Sequence, residues 1–166
     1  FGGDGADAKA ALFSGIDGLA VTPAGDLYIA DTDNQRIRRV DGKSGVVTTV
    51  IGSGVRGIPA PGDAPATTKL DAPKTLLVSR DGSLYFFTFG GGAVGDILYK
   101  LTTDGRLEKA AGGASSGGST PLEAASPFGV SFSTFGKRMA EGPDGSLYIT
   151  DNRATLRRRS EERRVG

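Results

Sequence analysis

Several segments of this sequence combine residue types and spacings that could do chemistry. Gly113-Ala114-Ser115-Ser116-Gly117 has the Gly-x-Ser-x-Gly spacing of a nucleophile elbow. Such an elbow sits on a strand-to-helix turn and needs a histidine base. The chain contains no His, and Gly112, Gly118, Ser119 and Thr120 flank the serines, so the segment reads as a linker. Gly52-Ser53-Gly54-Val55-Arg56-Gly57 and Gly90-Gly91-Gly92-Ala93-Val94-Gly95 both fit Gly-x-Gly-x-x-Gly after an apolar run. Dinucleotide binding also requires a helix N-terminus to receive the pyrophosphate. The first runs instead into Ile58-Pro59-Ala60-Pro61 and the second into the strand-like Ile97-Leu98-Tyr99, so both read as turns and linkers.

Asp31-Thr32-Asp33-Asn34 gathers oxygen-bearing side chains that could hold Ca²⁺. A calcium loop of the helix–loop–helix type wants Gly sixth and Glu twelfth. Counted from Asp31, those places hold Arg36 and Gly42, and the reading adopted is of side chains capping a turn. Arg36, Arg38 and Arg39 fall on one expected strand, echoed by Arg153 and Arg157 to Arg159. A site for single-stranded RNA would add exposed aromatics for base stacking. Tyr28, Tyr85, Phe86, Phe87 and Tyr148 instead lie in apolar runs, and Asp31, Asp33 and Asp41 offset the local charge, so the arginines read as surface groups at a sheet rim.

Composition narrows the remaining classes. With 20 Lys plus Arg against 19 Asp plus Glu the net charge is +1, which argues against strongly salt-dependent phosphate binding. No Cys means no disulfide, thiolate nucleophile or cysteine metal site, and no His removes Ser-His-Asp triads and His-ligated zinc from this stretch. The 27 Gly and 8 Pro break the chain often, which suits short strands and turns rather than long helices. No apolar run approaches the roughly 20 residues of a membrane span. No basic segment followed by an apolar one opens the sequence, and its first residue is Phe1, so it reads as a piece of a longer chain that starts inside a linker and stops inside a third repeat.

The elements that would have to position any site are repeats. Ala24-Gly25-Asp26-Leu27-Tyr28-Ile29-Ala30-Asp31, Arg80-Asp81-Gly82-Ser83-Leu84-Tyr85-Phe86-Phe87 and Pro143-Asp144-Gly145-Ser146-Leu147-Tyr148-Ile149-Thr150-Asp151 share one template, a tight turn leading into an aromatic and β-branched run. The first copy predicts strands at 18–21, 27–31, 36–40 and 46–51; the second predicts 75–79, 83–89, 96–102 and 106–110. In the third, the first strand falls either at 128–131 or near Met139. Four short antiparallel strands recurring every 55 to 65 residues are the pattern of propeller blades. The fold expected is all-β, a β-propeller of four-stranded antiparallel blades with about three blades present.

Gly18 to Val40, with Asp31-Thr32-Asp33-Asn34-Gln35-Arg36-Ile37-Arg38 at its centre, resembles an NHL repeat, and Val46 to Gly52 matches the end of that repeat. Gly3-Asp4-Gly5 before Leu12, and Gly62-Asp63-Ala64-Pro65-Ala66 before Leu70, resemble its inter-blade linkers, most closely those of bacterial, teneurin and Rhs-type members. The second copy departs from the pattern where Gly90 to Asp96 replaces the Asn-x-Arg-Ile-Arg segment. The expected organisation is a first blade with its linker at 1–53, a degenerate second blade at 54–112, a partial third at 113–159, and a non-native or disordered tail at 160–166.

The resemblance implies a non-catalytic module of a larger protein, a scaffold or binder of a protein partner, and an extracellular or cell-surface location. The partner face expected is the loop end carrying Asp33, Asn34, Gln35, Arg36 and Arg56. Its partners would be a protein and the remaining blades of its own propeller, with no nucleic acid, no membrane insertion, no metal and no cofactor. Two alternatives stand beside this reading. One is part of a lactonase- or lyase-like propeller enzyme, a type in which carboxylates, Asn or His from several blades hold a central metal, here with that site in blades outside this stretch. The other is single-stranded RNA binding through the arginine clusters.

Overall fold

A computed structural model describes residues 1–91, 95–113, 132 and 137–150, together with the backbone of 156–159. Gly92 to Val94, the serines at 115 and 116, the alternative first strand at 128–131, Arg153 and the tail 160–166 lie outside the described residues. The first sheet contains β1 (Ile16–Val21), β2 (Leu27–Asp31), β3 (Arg36–Val40) and β4 (Val47–Ile51). The second contains β5 (Lys74–Val78), β6 (Leu84–Phe89), β7 (Asp96–Leu101) and β8 (Leu107–Gly112). The third contains β9 (Arg138–Glu141), β10 (Leu147–Thr150) and β11 (Leu156–Arg159), so the third copy's first strand is the one at Met139. Each sheet is an antiparallel meander in chain order. The helical elements among the described residues are three short 3₁₀ turns, and none is long and apolar enough to cross a membrane.

The repeated turn signals work by the same bonds each time. In the first, second and third sheets the carbonyls of Asp26, Ser83 and Ser146 accept from the amides of Thr22, Ser79 and Gly142. The residue next to the crossing point is Gly25, Gly82 or Gly145, at φ 93°, 85° and 79°, where a side chain would be strained. In the second and third copies the aspartate of Asp-Gly-Ser accepts the serine amide, at 2.8 Å for Asp81 and 3.1 Å for Asp144.

Alternation along β6 explains why the strand is apolar on both faces. Leu84 and Phe86 enter a core shared with Ala30, Ile37 and Ile51 of the first sheet, while Tyr85 and Phe87 enter another shared with Leu147 and Ile149 of the third. Phe86 stacks on Tyr99 at 5.8 Å, and Phe87 meets Phe132 edge-on at 5.0 Å. A buried side chain of this size contributes roughly 1.5–3 kcal/mol. The first sheet has only one such neighbour among the described residues, and Leu19 and Val21 on its other side stay exposed.

The first strands of the three sheets lie side by side, β1 against β5 and β5 against β9. Gly18 permits the closest of these approaches, since a Cβ there would stand 2.9 Å from the Thr75 amide nitrogen and 3.2 Å from that of Leu76. Both four-stranded sheets interrupt their ladders in matching places. One residue is left over in the inner strand, Asp17 or Thr75, and one in the outer strand, Val50 or Ala110.

Candidate functional site

The left-over residues of the inner strands fall at one end of the sheets, and a bulge at such a position re-aims its side chain. Asp17, Thr75 and Arg138, from β1, β5 and β9, line one recess of about 220 Å³ with Gly18, Leu19, Leu76 and Met139. Asp17 and Arg138 are exposed. Thr75 has φ 35°, a left-handed conformation that a β-branched residue adopts only when its surroundings impose it. Its hydroxyl donates to the Lys137 carbonyl at 3.3 Å, and Arg138 Nη1 donates to the same oxygen at 2.9 Å. Lys137 Nζ is in turn 2.5 Å from Asp96 Oδ2, and both side chains are buried.

The loops expected to form a partner face surround this end, but most of their side chains engage the fold itself. Asn34 donates to both oxygens of Asp31 at 2.9 and 3.0 Å. Gln35, buried and at φ 55°, accepts the Ala72 amide at 2.7 Å, while Thr32 donates to the Pro73 carbonyl at 2.7 Å. Arg36 donates to the carbonyls of Asn34 and Ser53 at 2.7 and 2.6 Å and lies over the Phe1 ring at 3.7 Å. Asp33 is exposed and accepts the Ser14 hydroxyl at 3.1 Å. The Arg56 side chain is 72% exposed, 3.8 Å from Asp71. Asp33 to Arg36 thus form one corner, and Arg56 stands apart in the next linker.

Asp31 does not cap the turn it opens through its side chain: that carboxylate instead accepts the amide of Ser14, in the loop before β1, at 2.8 Å, together with the side-chain amide of Asn34. Arg38 is the clearest departure from the sequence reading. It is not a rim group but fully buried, with Nη2 2.7 Å from Asp4 and Nη1 3.4 Å from Asp31. Arg39 pairs with Asp26 and Asp41 at 2.7 and 3.2 Å. All three guanidinium groups of β3 are therefore held by groups of the first sheet or its flanking loops.

Asp17, Thr75 and Arg138 were not singled out by their sequence context. The available signal is a polar residue opening an apolar inner strand, as in Ile16-Asp17-Gly18-Leu19, Lys74-Thr75-Leu76-Leu77 and Lys137-Arg138-Met139-Ala140. Chemically, a guanidinium offers paired donors to a carbonyl or carboxylate. A carboxylate beside it can accept from hydroxyls or take a proton from water. A central divalent cation does not fit these strands: it wants several oxygen ligands. At the recess the three inner strands bring one carboxylate, Asp17, with Lys74 and Arg138 as cations on the adjoining strands, while Glu141 at the other end of β9 accepts the Arg80 amide at 2.8 Å. Among the described residues no three acidic groups are placed to share an ion.

Residues 13–40 match the NHL repeat family model. No curated protein sequence matches the chain. Among solved structures it is similar to a structural-genomics protein assigned as a gluconolactonase, with 18% identity and a TM-score of 0.59 over 90% of this chain. It is also similar to a streptogramin B lyase, at 17% identity and a TM-score of 0.50 over 93%. A third is the PQQ-bound aldose sugar dehydrogenase of Streptomyces coelicolor, at 24% identity and a TM-score of 0.51 over 87%. The chain spans 46%, 43% and 39% of these proteins, less than half of each. The fold is that of a β-propeller, represented here by about three blades.

These neighbours correct the expectation of a non-catalytic scaffold, and with it the expectation that the chain belongs to no enzyme. The three neighbours named above carry enzyme names, and that finding stands against the non-catalytic reading. The physical reason lies at the inner strands. Exposed loops stand out in the sequence, whereas the left-over Asp17, the strained Thr75 and Arg138 meet where β1, β5 and β9 converge.

Proposed function

We propose that this chain supplies part of the channel-mouth site of a propeller enzyme, lactonase- or lyase-like, acting on a small oxygen-rich ring. The observation carrying the reading is that Asp17, Thr75 and Arg138 arrive at one recess from three different strands. Arg138 would hold the carbonyl oxygen of the substrate, and Asp17 would accept a proton from water or from the carbon next to the carbonyl. The apolar Leu76 and Met139 would limit water around the ring. No step is assigned to a metal, because the donors of these strands do not suit one.

The test is turnover of five- and six-membered sugar lactones by the full-length protein. Hydrolysis breaks the acyl C–O bond of the ring, adds one water and yields a hydroxy acid, whereas loss of the proton next to the carbonyl expels the 3-hydroxyl as water and yields an unsaturated lactone one water lighter than the substrate, so mass spectrometry separates the two. Asp17→Asn should lower kcat/KM by about 10²-fold, the smaller end of what a general base contributes. Arg138→Gln should act mainly on KM if it holds substrate and transition state alike. Absence of turnover by the parent across the panel, or an unchanged Asp17→Asn variant, overturns the proposal.

A further inference from the structure

Both junctions between sheets are fastened at corresponding places. By strand register, Gln35 immediately precedes Arg36, which pairs with Asp31, and Asp96 immediately precedes Ile97, which pairs with Thr88. Counted from Tyr28 and Tyr85, Asp31 and Thr88 hold the same place on the second strands. Each reaches the residues just ahead of the next inner strand. Gln35 accepts the Ala72 amide at 2.7 Å, and Asp96 takes the Lys137 ammonium at 2.5 Å. The first fastening is neutral and the second ionic.

The ionic one has a particular consequence, because the Lys137 carbonyl is the shared acceptor for Thr75 Oγ1 and Arg138 Nη1. We infer that Asp96 and Lys137 are positioning residues of the channel mouth: a buried ionic latch between the second and third sheets that fixes the carbonyl on which Thr75 and Arg138 both hang. The pair is deep, with side chains 0% and 3% exposed, and the Lys137 ammonium also lies 5.1 Å from the Phe87 ring centre. Among the described residues Asp96 Oδ1 has no hydrogen-bond partner, and Lys137 is the group that holds this carboxylate through Oδ2. Neither side chain lines the recess, and the latch acts through the backbone of Lys137.

This inference rests on the reading of the recess as a site, yet it can be tested without turnover. Peptide-resolved hydrogen exchange of the full-length protein would compare the parent with Lys137→Met, Lys137→Arg and the doubly neutral Asp96→Asn/Lys137→Met. The double variant guards against loss of folding, since it leaves no lone buried charge and imitates the neutral fastening at the first junction. Exchange at Thr75, Arg138 and Met139 should rise by about tenfold in the Met-bearing variants while β2 and β3 keep their protection, as expected for local opening. Lys137→Arg should stay close to the parent. On a lactone that is turned over, the double variant should raise KM more than it lowers kcat. Unchanged exchange at 75 and 138–139, or an equal rise throughout β1 to β4, overturns the inference. Absent turnover with the local rise intact counts against the proposed activity alone.

Discussion

Replacing Thr75 by glycine and by alanine should separate strain from contact at the channel mouth. Thr75 stands at φ 35°. A residue held in that region costs on the order of 1–3 kcal/mol. Alanine would still carry about 1–2 kcal/mol of strain, and glycine almost none. Against this, glycine loses about 0.4–1 kcal/mol relative to alanine through its freer unfolded chain. Both variants lose the bond from Thr75 Oγ1 to the Lys137 carbonyl, 3.3 Å long. That loss costs about 0.5–1.5 kcal/mol in each and cancels in the comparison. Thr75→Gly should therefore be more stable than Thr75→Ala by about 0.5–1 kcal/mol. With a urea slope near 2 kcal/mol/M, that is a midpoint higher by about 0.4 M. The assay is urea unfolding of the full-length protein followed by fluorescence and circular dichroism, at equal slopes. Lactone turnover should fall in both, since the hydroxyl is lost in both. An alanine variant as stable as the glycine variant, or more so, would refute the claim that Thr75 is strained.

Arg38→Met should destabilise the protein by about 3 kcal/mol, the low end for breaking a buried ion pair, because Asp31 keeps its bonds from Ser14 and Asn34. A double-mutant cycle with Asp31→Asn measures the coupling, and a loss near zero would contradict the buried pairing. Gly18→Ala should cost about 1–3 kcal/mol by forcing β1 away from Thr75, where a Cβ would stand 2.9 Å from the amide nitrogen; a neutral thermal melt would count against the close approach. Burial acts to raise the Asp81 pKa, but hydrogen bonds from Ser79 and Ser83 and the charge of Lys100 outweigh it and hold the carboxyl at about 2, against 3.8 when free. Its stabilising effect should be complete above pH 4 and fade as pH falls toward 2. A carboxyl titration by NMR with a midpoint near 4, or a Ser79→Ala variant that leaves the midpoint in place, would exclude this.

The strands were legible because their signals are local. Leu27 to Asp31 and Arg36 to Val40 were expected and found at the same bounds, and Tyr28, Tyr85 and Tyr148 all sit on second strands. The turn glycines were equally plain, since the chain reversals there require positive φ. The site was not legible, because it arises from register. Whether Asp17 and Thr75 join the ladder or are left over depends on pairing with β2 and β6, which no pattern within β1 or β5 reveals. Arg38 misled for a related reason. Arg36-Ile37-Arg38-Arg39 looks like a charged edge, but Asp4 and Asp31, which draw Arg38 inward, come from the opening linker and the end of β2. The Asp96–Lys137 latch joins residues 41 positions apart across two sheets and has no sequence signature of its own.

Gly18 also bears on how the architecture can vary. Between β1 and β5 the first and second sheets touch backbone to backbone, so the pitch between these two spokes is set by the main chain and holds only while position 18 carries no side chain. Toward the perimeter they diverge, and the resulting wedge is filled by Leu70 and by the linker between Gly52 and Leu70. Drift or insertion in that linker can thicken the perimeter while leaving the angular step, and hence the number of spokes a full circle admits, unchanged. Engineered cargo is accordingly best grafted at Ala60 to Gly62, a surface tip where one proline lies between exposed residues and the chain already reverses.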